Sequence, residues 1–415
     1  MRFGRRLNFY LHFDIRKERI DKMPDEVFIV GAKRTAVGRF LGTLTDTPAT
    51  RLGTIAGKAA LEQSGLKPED VNQVIMGNVC STGLGQNPAR QVQIGMGIPT
   101  DRNAYLVGMV CGSGLQAANL GYMTIKSGGA DVIVAGGMES MSLSPYYLKN
   151  GRTGYKLGHA ELVDSMISDG LWDPYKDMHM GITGELVAEK YGITREQQDE
   201  YANNSHRKAI AAIDSGAFND EIAPVLIPQR KGDPIEFKVD EGPRRDTSIE
   251  ALAKLRPAFK KDGTVTAGNA PGTNDGGAAV VLASEKIVKT KGLKPIAKIL
   301  ATGIGGLDPE WVMMTPVPTV KKIYEQGFSR KDFDLWEFNE AFSVQQIAVR
   351  QELELDESII NVNGGAVAIG HPIGCSGARI LCTLIYALKN RGKKRGVAAL
   401  CLGGGNGVGM AVELV

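Results

Sequence analysis

Apolar residues recur along this chain with two different spacings, and these spacings predict strands that alternate with helices. The continuous run VFIVGAKR, which follows Glu26, has the length of a buried strand. Near the other end, apolar residues at three- and four-residue intervals mark one buried face of a helix: Ala378, Leu381, Leu384, Ile385 and Leu388. Because strands and helices alternate, we expect an α/β fold whose mostly parallel sheet is covered on both faces.

Helices and strands are predicted most clearly in the first third of the chain. We expect helices over residues 49–64 and 90–96, a strand over 73–77, a helix from Cys111 to about Lys126, and a strand over 131–137. Gly128 and Gly129 would end the helix that follows Cys111.

An internal repeat relates the two ends of the chain. Residues 65–77 and 327–339 share the order glycine, apolar residue, three residues, aspartate, apolar residue and strand, at an offset of 262 residues. Downstream, residues 112–114 align with residues 375–377, and each is followed by a helix, a turn, a strand and paired glycines. Two copies of one α/β unit would place both helix starts near a pseudo-twofold interface.

Between the repeats, residues 142–271 have a different composition, with more Tyr, Met, His and charge and fewer strand-like runs. Helices expected over 182–190 and 195–212 are joined by long connections, as in an inserted domain or lid. We therefore expect four segments: a basic N-terminal arm (1–24), a first half (25–141 plus 272–293), an inserted domain (142–271) and a second half (294–415).

Two motifs place reactive side chains at predicted helix starts. His371 lies between glycine-rich turns in NVNGGAVAIGHPIGCSGAR, residues 361–379, where a rigidly held imidazole suits proton transfer. Cys111 lies in VCGSGLQA, residues 110–117, just before a helix. The positive end of a helix dipole would favour the thiolate that a nucleophile needs.

Two further motifs follow predicted strands. Cys401 ends an apolar strand in AALCLGGGNGVGM, residues 398–410, and the glycines after it leave amide N–H groups free to face a developing oxyanion. Asn339 offers an amide side chain in FNEAF, residues 338–342.

These four motifs, in this order, resemble the thiolase superfamily. The resemblance extends from about Glu26 to Val415 and includes its CGSGLQA, NEAF, GHPxGxSGAR and CxGGGxG patterns. It implies the thiolase fold, in which two similar βαβαβαββ halves form a layered α/β/α/β/α arrangement with buried central helices. It also implies that the inserted loop domain binds coenzyme A.

The chemistry that the resemblance implies is that of an acetyl-CoA acetyltransferase, a reversible Claisen condensation of two acetyl-CoA into acetoacetyl-CoA and CoA. Cys111 would form the acyl-enzyme with His371 accepting its proton, and Cys401 would deprotonate the second acetyl-CoA. His371 and a water held by Asn339 would form one oxyanion hole. The amides of Cys111 and Gly403 would form the other.

The resemblance also assigns substrate contacts. Leu171, His179 and Met180 would line the pantetheine tunnel, and the remaining expected contacts are Arg244, Phe259, Ala267, Ala341 and Phe342. Pro271 departs from the pattern, because some relatives have serine there and proline has neither N–H nor hydroxyl. No cofactor is expected to stay bound, since coenzyme A is a substrate and a product. A homodimer or homotetramer is expected.

Composition excludes several other classes. A net charge of +3 on 415 residues, with dispersed basic residues, argues against nucleic-acid binding. No apolar run is long enough to span a membrane, and five scattered cysteines and five histidines predict neither a disulfide framework nor a metal site. We expect a cytoplasmic protein, or a mitochondrial matrix protein if the basic arm is a presequence.

The sequence leaves three alternative functions open. The chain could be a 3-ketoacyl-CoA thiolase of fatty-acid β-oxidation, a decarboxylating ketoacyl synthase, or a noncatalytic acyl-CoA-binding relative. The second cysteine and NEAF disfavour the synthase, and the intact reactive residues disfavour the noncatalytic relative. Residues 312–314, Val-Met-Met, would narrow the acyl pocket, which favours short acyl chains.

Overall fold

The computed structural model describes residues 26–415, so the predicted N-terminal arm over 1–24 lies outside the described residues. The strands between residues 146 and 237 are two or three residues long, and all but one of the other strands have four to eleven residues. The strands are β1 Val27–Thr35, β2 Gly38–Arg39, β3 Gln73–Gly77, β4 Asn103–Val107, β5 Val132–Ser140, β6 Tyr146–Tyr147, β7 Val163–Asp164, β8 Trp172–Asp173, β9 Met178–His179, β10 Ile222–Ala223, β11 Val225–Ile227, β12 Ile235–Phe237, β13 Asn274–Ser284, β14 Ala297–Gly306, β15 Leu335–Phe338, β16 Arg395–Leu402 and β17 Asn406–Leu414.

The α-helices lie between these strands. They are α1 Ala49–Ser64, α2 Pro88–Gly95, α3 Ser113–Lys126, α4 Met180–Tyr191, α5 Arg195–Asp214, α6 Ile249–Ala253, α7 Glu285–Lys291, α8 Pro316–Tyr324, α9 Ser343–Leu353, α10 Ala366–Ile369 and α11 Ile373–Asn390. Among residues 26–415, none has the length and apolarity needed to cross a bilayer.

The main sheet runs in the order β15-β16-β17-β14-β1-β13-β5-β3-β4. The prediction of a mostly parallel sheet is wrong. Parallel pairs link β15 to β16 and β3 to both β4 and β5, whereas β1, β13, β14 and β17 pair with their neighbours along this order antiparallel. The sequence pattern missed this because β16 and β17 are joined by a tight turn, and only a crossover connection allows parallel neighbours.

The predicted repeat is present in the fold. Short 3₁₀ turns at Pro68–Asp70 and Arg330–Asp332 precede β3 and β15 at equivalent positions of the two halves. Each half then continues through a central helix, α3 or α11, into β5 or β16. An antiparallel strand, β13 or β17, completes each half.

The two central helices pack against each other in the middle of the molecule. At their crossing, a Cβ added to Gly114 would lie 2.9 Å from the backbone nitrogen of Ala378. A Cβ added to Gly377 would lie 2.5 Å from the backbone nitrogen of Leu115. Both glycines are therefore needed for the close approach, which brings the start of α3 beside the start of α11.

A buried ion cluster ties Glu221 and Asp240 to the first strand of the sheet. Arg34 of β1 binds Asp240 through two hydrogen bonds of 2.7 and 2.9 Å, and it also binds Glu221, with all three side chains inaccessible to solvent. Thr383 of α11 donates a hydrogen bond to Glu221. Because unpaired buried charges are costly, this cluster fixes where the insertion meets α11.

Candidate active site

Cys111 lies in a 3₁₀ turn, Val110–Gly112, immediately before α3. Val110 adopts φ of +42°, a conformation that costs a β-branched residue of the order of 1–3 kcal/mol. Ser113 holds the turn, because its hydroxyl donates to the carbonyl of Val110 at 2.6 Å and accepts the N–H of Met109 at 2.9 Å. The turn presents the thiol toward an interior cavity.

His371 lies between α10 and α11, and its backbone N–H donates to Oδ1 of Asn274 at 2.8 Å. Its ring Nδ1 lies 2.6 Å from Oγ of Ser376, and that hydroxyl donates to the carbonyl of Pro372 at 2.9 Å. Because the single hydroxyl proton is donated to Pro372, the Ser376 oxygen accepts a hydrogen bond from Nδ1–H. Nε2 therefore carries a lone pair, which is the form that can accept a proton.

Asn339 follows β15 and lies behind the imidazole. Its Nδ2 is 3.4 Å from Nε2 of His371, and its Oδ1 has no protein partner among the described residues. Its backbone is fixed, since the side chain of Gln346 donates to its carbonyl at 2.7 Å and its N–H donates to Ala399. The amide side chain is thus held rigidly beside the ring nitrogen.

Cys401 is the second-to-last residue of β16, and the tight turn to β17 that follows contains Gly404 and Gly405 with φ of +85° and +83°. This turn points the amide of Gly403 at the other cysteine. The backbone amides of Cys111 and Gly403 both favour the thiolate of Cys111, and so oppose the rise in its pKa that burial causes. Two donors therefore converge where an oxyanion on an acylated Cys111 would form.

One cavity of about 240 Å³ brings these groups together, and Cys111, His371, Cys401 and Gly403 all line it. Most of the residues expected to bind substrate line it too: Leu171, His179, Met180, Phe259, Ala341 and Phe342. The ring of His179 stacks on Phe259 with centroids 4.6 Å apart. Asn339 is not part of the lining and reaches the cavity only through His371.

Arg244 and Ala267 line a neighbouring cavity of about 230 Å³ instead. The two cavities share three lining residues, Ala270, Gly272 and Thr273. The predicted substrate contacts therefore fall into two connected spaces rather than one.

Burial dominates the electrostatics of the reactive groups. It raises the pKa of the Cys111 thiol to about 12, although its own amide and that of Gly403 act in the opposite direction. It lowers the pKa of His371 to about 3, and the positive charge of Arg379 adds to this effect. Burial also raises the pKa of Cys401. Burial therefore opposes the thiolate that the helix start was expected to favour at Cys111.

Sequence reasoning missed several residues that shape this site. Ser376 lies in the first turn of α11, five residues after His371. This short spacing was a signal in the sequence that the hydroxyl could contact the imidazole. Glu139 accepts N–H groups from Val79, Cys80 and Gly374, and so ties the loop after β3 to the start of α11. Burial raises the pKa of Glu139 to about 7, despite these amides.

His206, which no sequence motif singled out, lines the second cavity. Its Nδ1 accepts the backbone N–H of Arg244 at 3.1 Å. Burial lowers the pKa of His206 to about 4. No local pattern marks this contact, because 38 residues separate the two partners.

Known proteins share both the sequence and the fold. The chain is 53% identical over 389 residues to an acetyl-CoA acetyltransferase of Cupriavidus necator, which covers 94% of this chain and 99% of that protein. It is 52% identical over 388 residues to an acetyl-CoA acetyltransferase of Pseudomonas aeruginosa, covering 93% and 99%.

Two solved structures extend the comparison. The acetyl-CoA acetyltransferase of Bacillus anthracis superposes with a TM-score of 0.93 at 43% identity, covering 95% of this chain and 100% of that one. The human mitochondrial 3-ketoacyl-CoA thiolase in complex with CoA superposes with a TM-score of 0.91 at 44% identity, covering 95% and 99%. Sequence models described as the N-terminal and C-terminal domains of thiolase match residues 27–286 and 293–414. This chain therefore belongs to the thiolase family.

Proposed function

We propose that this enzyme is an acetyl-CoA acetyltransferase that reversibly condenses two acetyl-CoA into acetoacetyl-CoA and CoA. The observation that carries the proposal is the convergence of two thiols, one imidazole and two backbone amides on a single, largely apolar cavity. Carbon–carbon bond formation between thioesters needs a nucleophile, a base that can reach a carbon acid, and donors for two developing oxyanions.

In the first half-reaction, Sγ of Cys111 attacks the thioester carbonyl while Nε2 of His371 accepts the thiol proton. The amides of Cys111 and Gly403 receive the oxyanion. The carbon–sulfur bond to CoA then breaks, and the departing CoA thiolate takes the proton of Cys401. This leaves an acetylated Cys111, a protonated His371 and a Cys401 thiolate.

In the second half-reaction, the Cys401 thiolate removes a proton from the methyl carbon of the next acetyl-CoA. Protonated Nε2 of His371 donates to the enolate oxygen, and Asn339 would hold a water as the second donor. The enolate carbon attacks the acetyl group on Cys111, and the thiolate of Cys111 leaves and takes the proton from His371. The starting protonation states are restored when acetoacetyl-CoA departs.

A neutral Cys111 thiol and a neutral His371 imidazole in the resting enzyme suit this sequence of steps. Since burial disfavours both the Cys111 thiolate and the His371 imidazolium, the proton moves only when a thioester is positioned for attack. The nucleophile is consequently protected from indiscriminate alkylation between turnovers.

A second candidate function is thiolysis of longer 3-ketoacyl-CoA. Solved structures of both kinds of enzyme are similar to this chain, so similarity alone does not set the length of the acyl group. The lining of the cavity does. Val312 and Met313 line it, together with Met141, whereas Met314 packs in the core. Bulky side chains at these lining positions leave less room for an extended acyl chain, which favours short substrates.

Steady-state thiolysis separates the two functions. We expect a higher kcat/KM for acetoacetyl-CoA than for 3-ketooctanoyl-CoA, and the reverse order would assign the enzyme to the longer substrates. Mass spectrometry after mixing with acetyl-CoA should detect an acetyl adduct on Cys111 that is absent in Cys111→Ala. A wild-type enzyme without this adduct would fit a noncatalytic acyl-CoA-binding protein.

The assembly and location also belong to this proposal. We expect a homodimer or homotetramer, which light scattering of the purified protein would reveal as a multiple of the 44.5 kDa chain mass. The cytoplasm is the expected location. The alternative of the mitochondrial matrix depends on residues 1–24, and fusing them to a fluorescent reporter would test it.

A further inference from the structure

The catalytic cavity offers a ligand few hydrogen-bonding side chains besides the reactive ones. Among its described lining residues, Thr273 carries the only hydroxyl, and none carries a carboxylate, an amide or an ammonium group. The ring of His179 accepts the N–H of Gly181 through Nδ1 at 3.1 Å, which leaves its Nε2–H as the other side-chain donor of the lining outside the reactive groups. Pro271 has neither an N–H nor a hydroxyl to contribute.

The pantetheine arm of a CoA thioester contains amide groups, which lose water when the arm enters this cavity. An amide that is buried without a partner weakens binding, so the cavity should supply a hydrogen-bonding group along the path of the arm. Apart from His179, the side chains that line this path are apolar, with Phe259, Ala270 and Phe342 among them.

Charge fixes the direction in which the arm runs. Arg39 and Arg244 both line the second cavity, and among residues 26–415 neither guanidinium forms an ion pair with a carboxylate. These cations would attract the phosphates of CoA, while the thioester must reach Cys111 in the first cavity. The arm therefore crosses the lining shared by the two cavities, which comprises Ala270, Gly272 and Thr273.

Thr273 is held firmly at this junction. Its carbonyl accepts the N–H of Phe40 at 3.1 Å, and the next residue, Asn274, begins β13 and accepts the N–H of His371. Among the contacts of residues 26–415, the Thr273 hydroxyl itself has no protein partner. A fixed backbone with an unused hydroxyl is a preorganised hydrogen-bonding site.

We propose that the Thr273 hydroxyl forms a hydrogen bond with an amide of the pantetheine arm. The arm would pass Thr273 on its way from the second cavity, which Arg244 lines, to Cys111. This inference rests on the proposed function, because it takes a CoA thioester as the ligand. Thr273 is a binding residue and takes no part in the proton transfers.

The test compares Thr273→Val, which keeps the shape and removes the hydroxyl, with Thr273→Ser, which keeps the hydroxyl. Isothermal titration calorimetry with CoA should show Kd increased about tenfold in Thr273→Val and by less than about twofold in Thr273→Ser. Asn274, the residue next to Thr273, holds the backbone of His371, so a disturbance at Thr273 could reach the reactive groups. The alkylation rate of Cys111 by iodoacetamide therefore serves as the structural control. This reagent has no pantetheine arm, so its rate should be the same in all three proteins.

Three results would overturn the inference: an unchanged Kd in Thr273→Val, an equal loss in Thr273→Ser, or an alkylation rate that falls in proportion to the affinity. Turnover of acetoacetyl-CoA by the wild-type enzyme is measured separately. Absent turnover combined with hydroxyl-dependent CoA binding would reject the proposed function and leave the Thr273 contact standing.

Discussion

Ser376→Ala is the sharpest test of how His371 is prepared for proton transfer. The substitution removes the 2.6 Å contact with Nδ1 and the 2.9 Å hydrogen bond to Pro372. Without the hydroxyl, nothing in its place accepts the Nδ1 proton, so the tautomer with the proton on Nε2 becomes accessible. In that tautomer Nε2 cannot accept the proton of Cys111.

The size of the effect follows from the strength of the lost bond. A buried hydrogen bond contributes about 1.4 kcal/mol at the upper end of the usual net range, which is a tenfold change in the tautomer ratio. We therefore expect acylation of Cys111, followed by stopped-flow release of CoA from acetyl-CoA, to slow by at most about tenfold. Thermal stability should fall as well, because the buried Nδ1 of His371 loses its partner, whereas the Pro372 carbonyl keeps the N–H groups of Cys375 and Ser376.

Ser64→Ala is the matched control for this loss of stability. Ser64 is also buried, and its hydroxyl likewise makes two hydrogen bonds, to Leu61 and Leu66, but at the end of α1 away from the cavity. It should lower Tm to a similar extent while leaving acylation unchanged. Equal acylation rates in wild type and Ser376→Ala would refute the tautomer argument.

Further predictions concern the second thiol, the resting pair, the ion cluster and the helix crossing. Cys401→Ala should still form the acetyl-enzyme by mass spectrometry but lose condensation, and unaltered condensation would remove Cys401 from the mechanism. Because the pKa of Cys111 is raised to about 12 and that of His371 is lowered to about 3, neither group titrates near neutrality. The rate of iodoacetamide alkylation should therefore rise about tenfold per pH unit between about pH 6 and 9, whereas a pH-independent rate would indicate an ion pair. Arg34→Met leaves two buried carboxylates unpaired and should cost about 3–5 kcal/mol in urea unfolding. Gly377→Ala should lower both Tm and acylation, since its Cβ would lie 2.5 Å from a backbone nitrogen, and a wild-type acylation rate would show that the crossing tolerates the shift.

Local signals in the sequence predicted much of the fold. Helix α1 has the predicted bounds, Ala49–Ser64, because its apolar periodicity and the following glycine are both encoded locally. Helix α2 begins at Pro88, two residues earlier than predicted, because Asn87 caps it and proline suits the first turn. Strand β5 extends to Ser140, since pairing with β13 stabilises polar residues that no strand pattern includes.

The site was predictable where a motif carries it and not where distant segments meet. Cys111, His371 and Cys401 lie in recognisable patterns, and the structure brings them to one cavity. By contrast, the contact of Asn274 with His371 joins residues 97 positions apart and has no local signature. The direction of the Cys111 pKa shift also depends on how deeply the finished fold buries the thiol, which helix-end chemistry alone does not reveal.

The crossing of α3 and α11 divides the reactive groups between the two repeats. Cys111 comes from the first repeat, whereas Asn339, His371 and Cys401 come from the second. Neither repeat could acetylate itself in isolation, even if it folded correctly. After dilution from denaturant, the rate at which activity returns would therefore report the rate at which the two repeats dock. Activity should return later than the far-ultraviolet circular dichroism signal, which reports secondary structure.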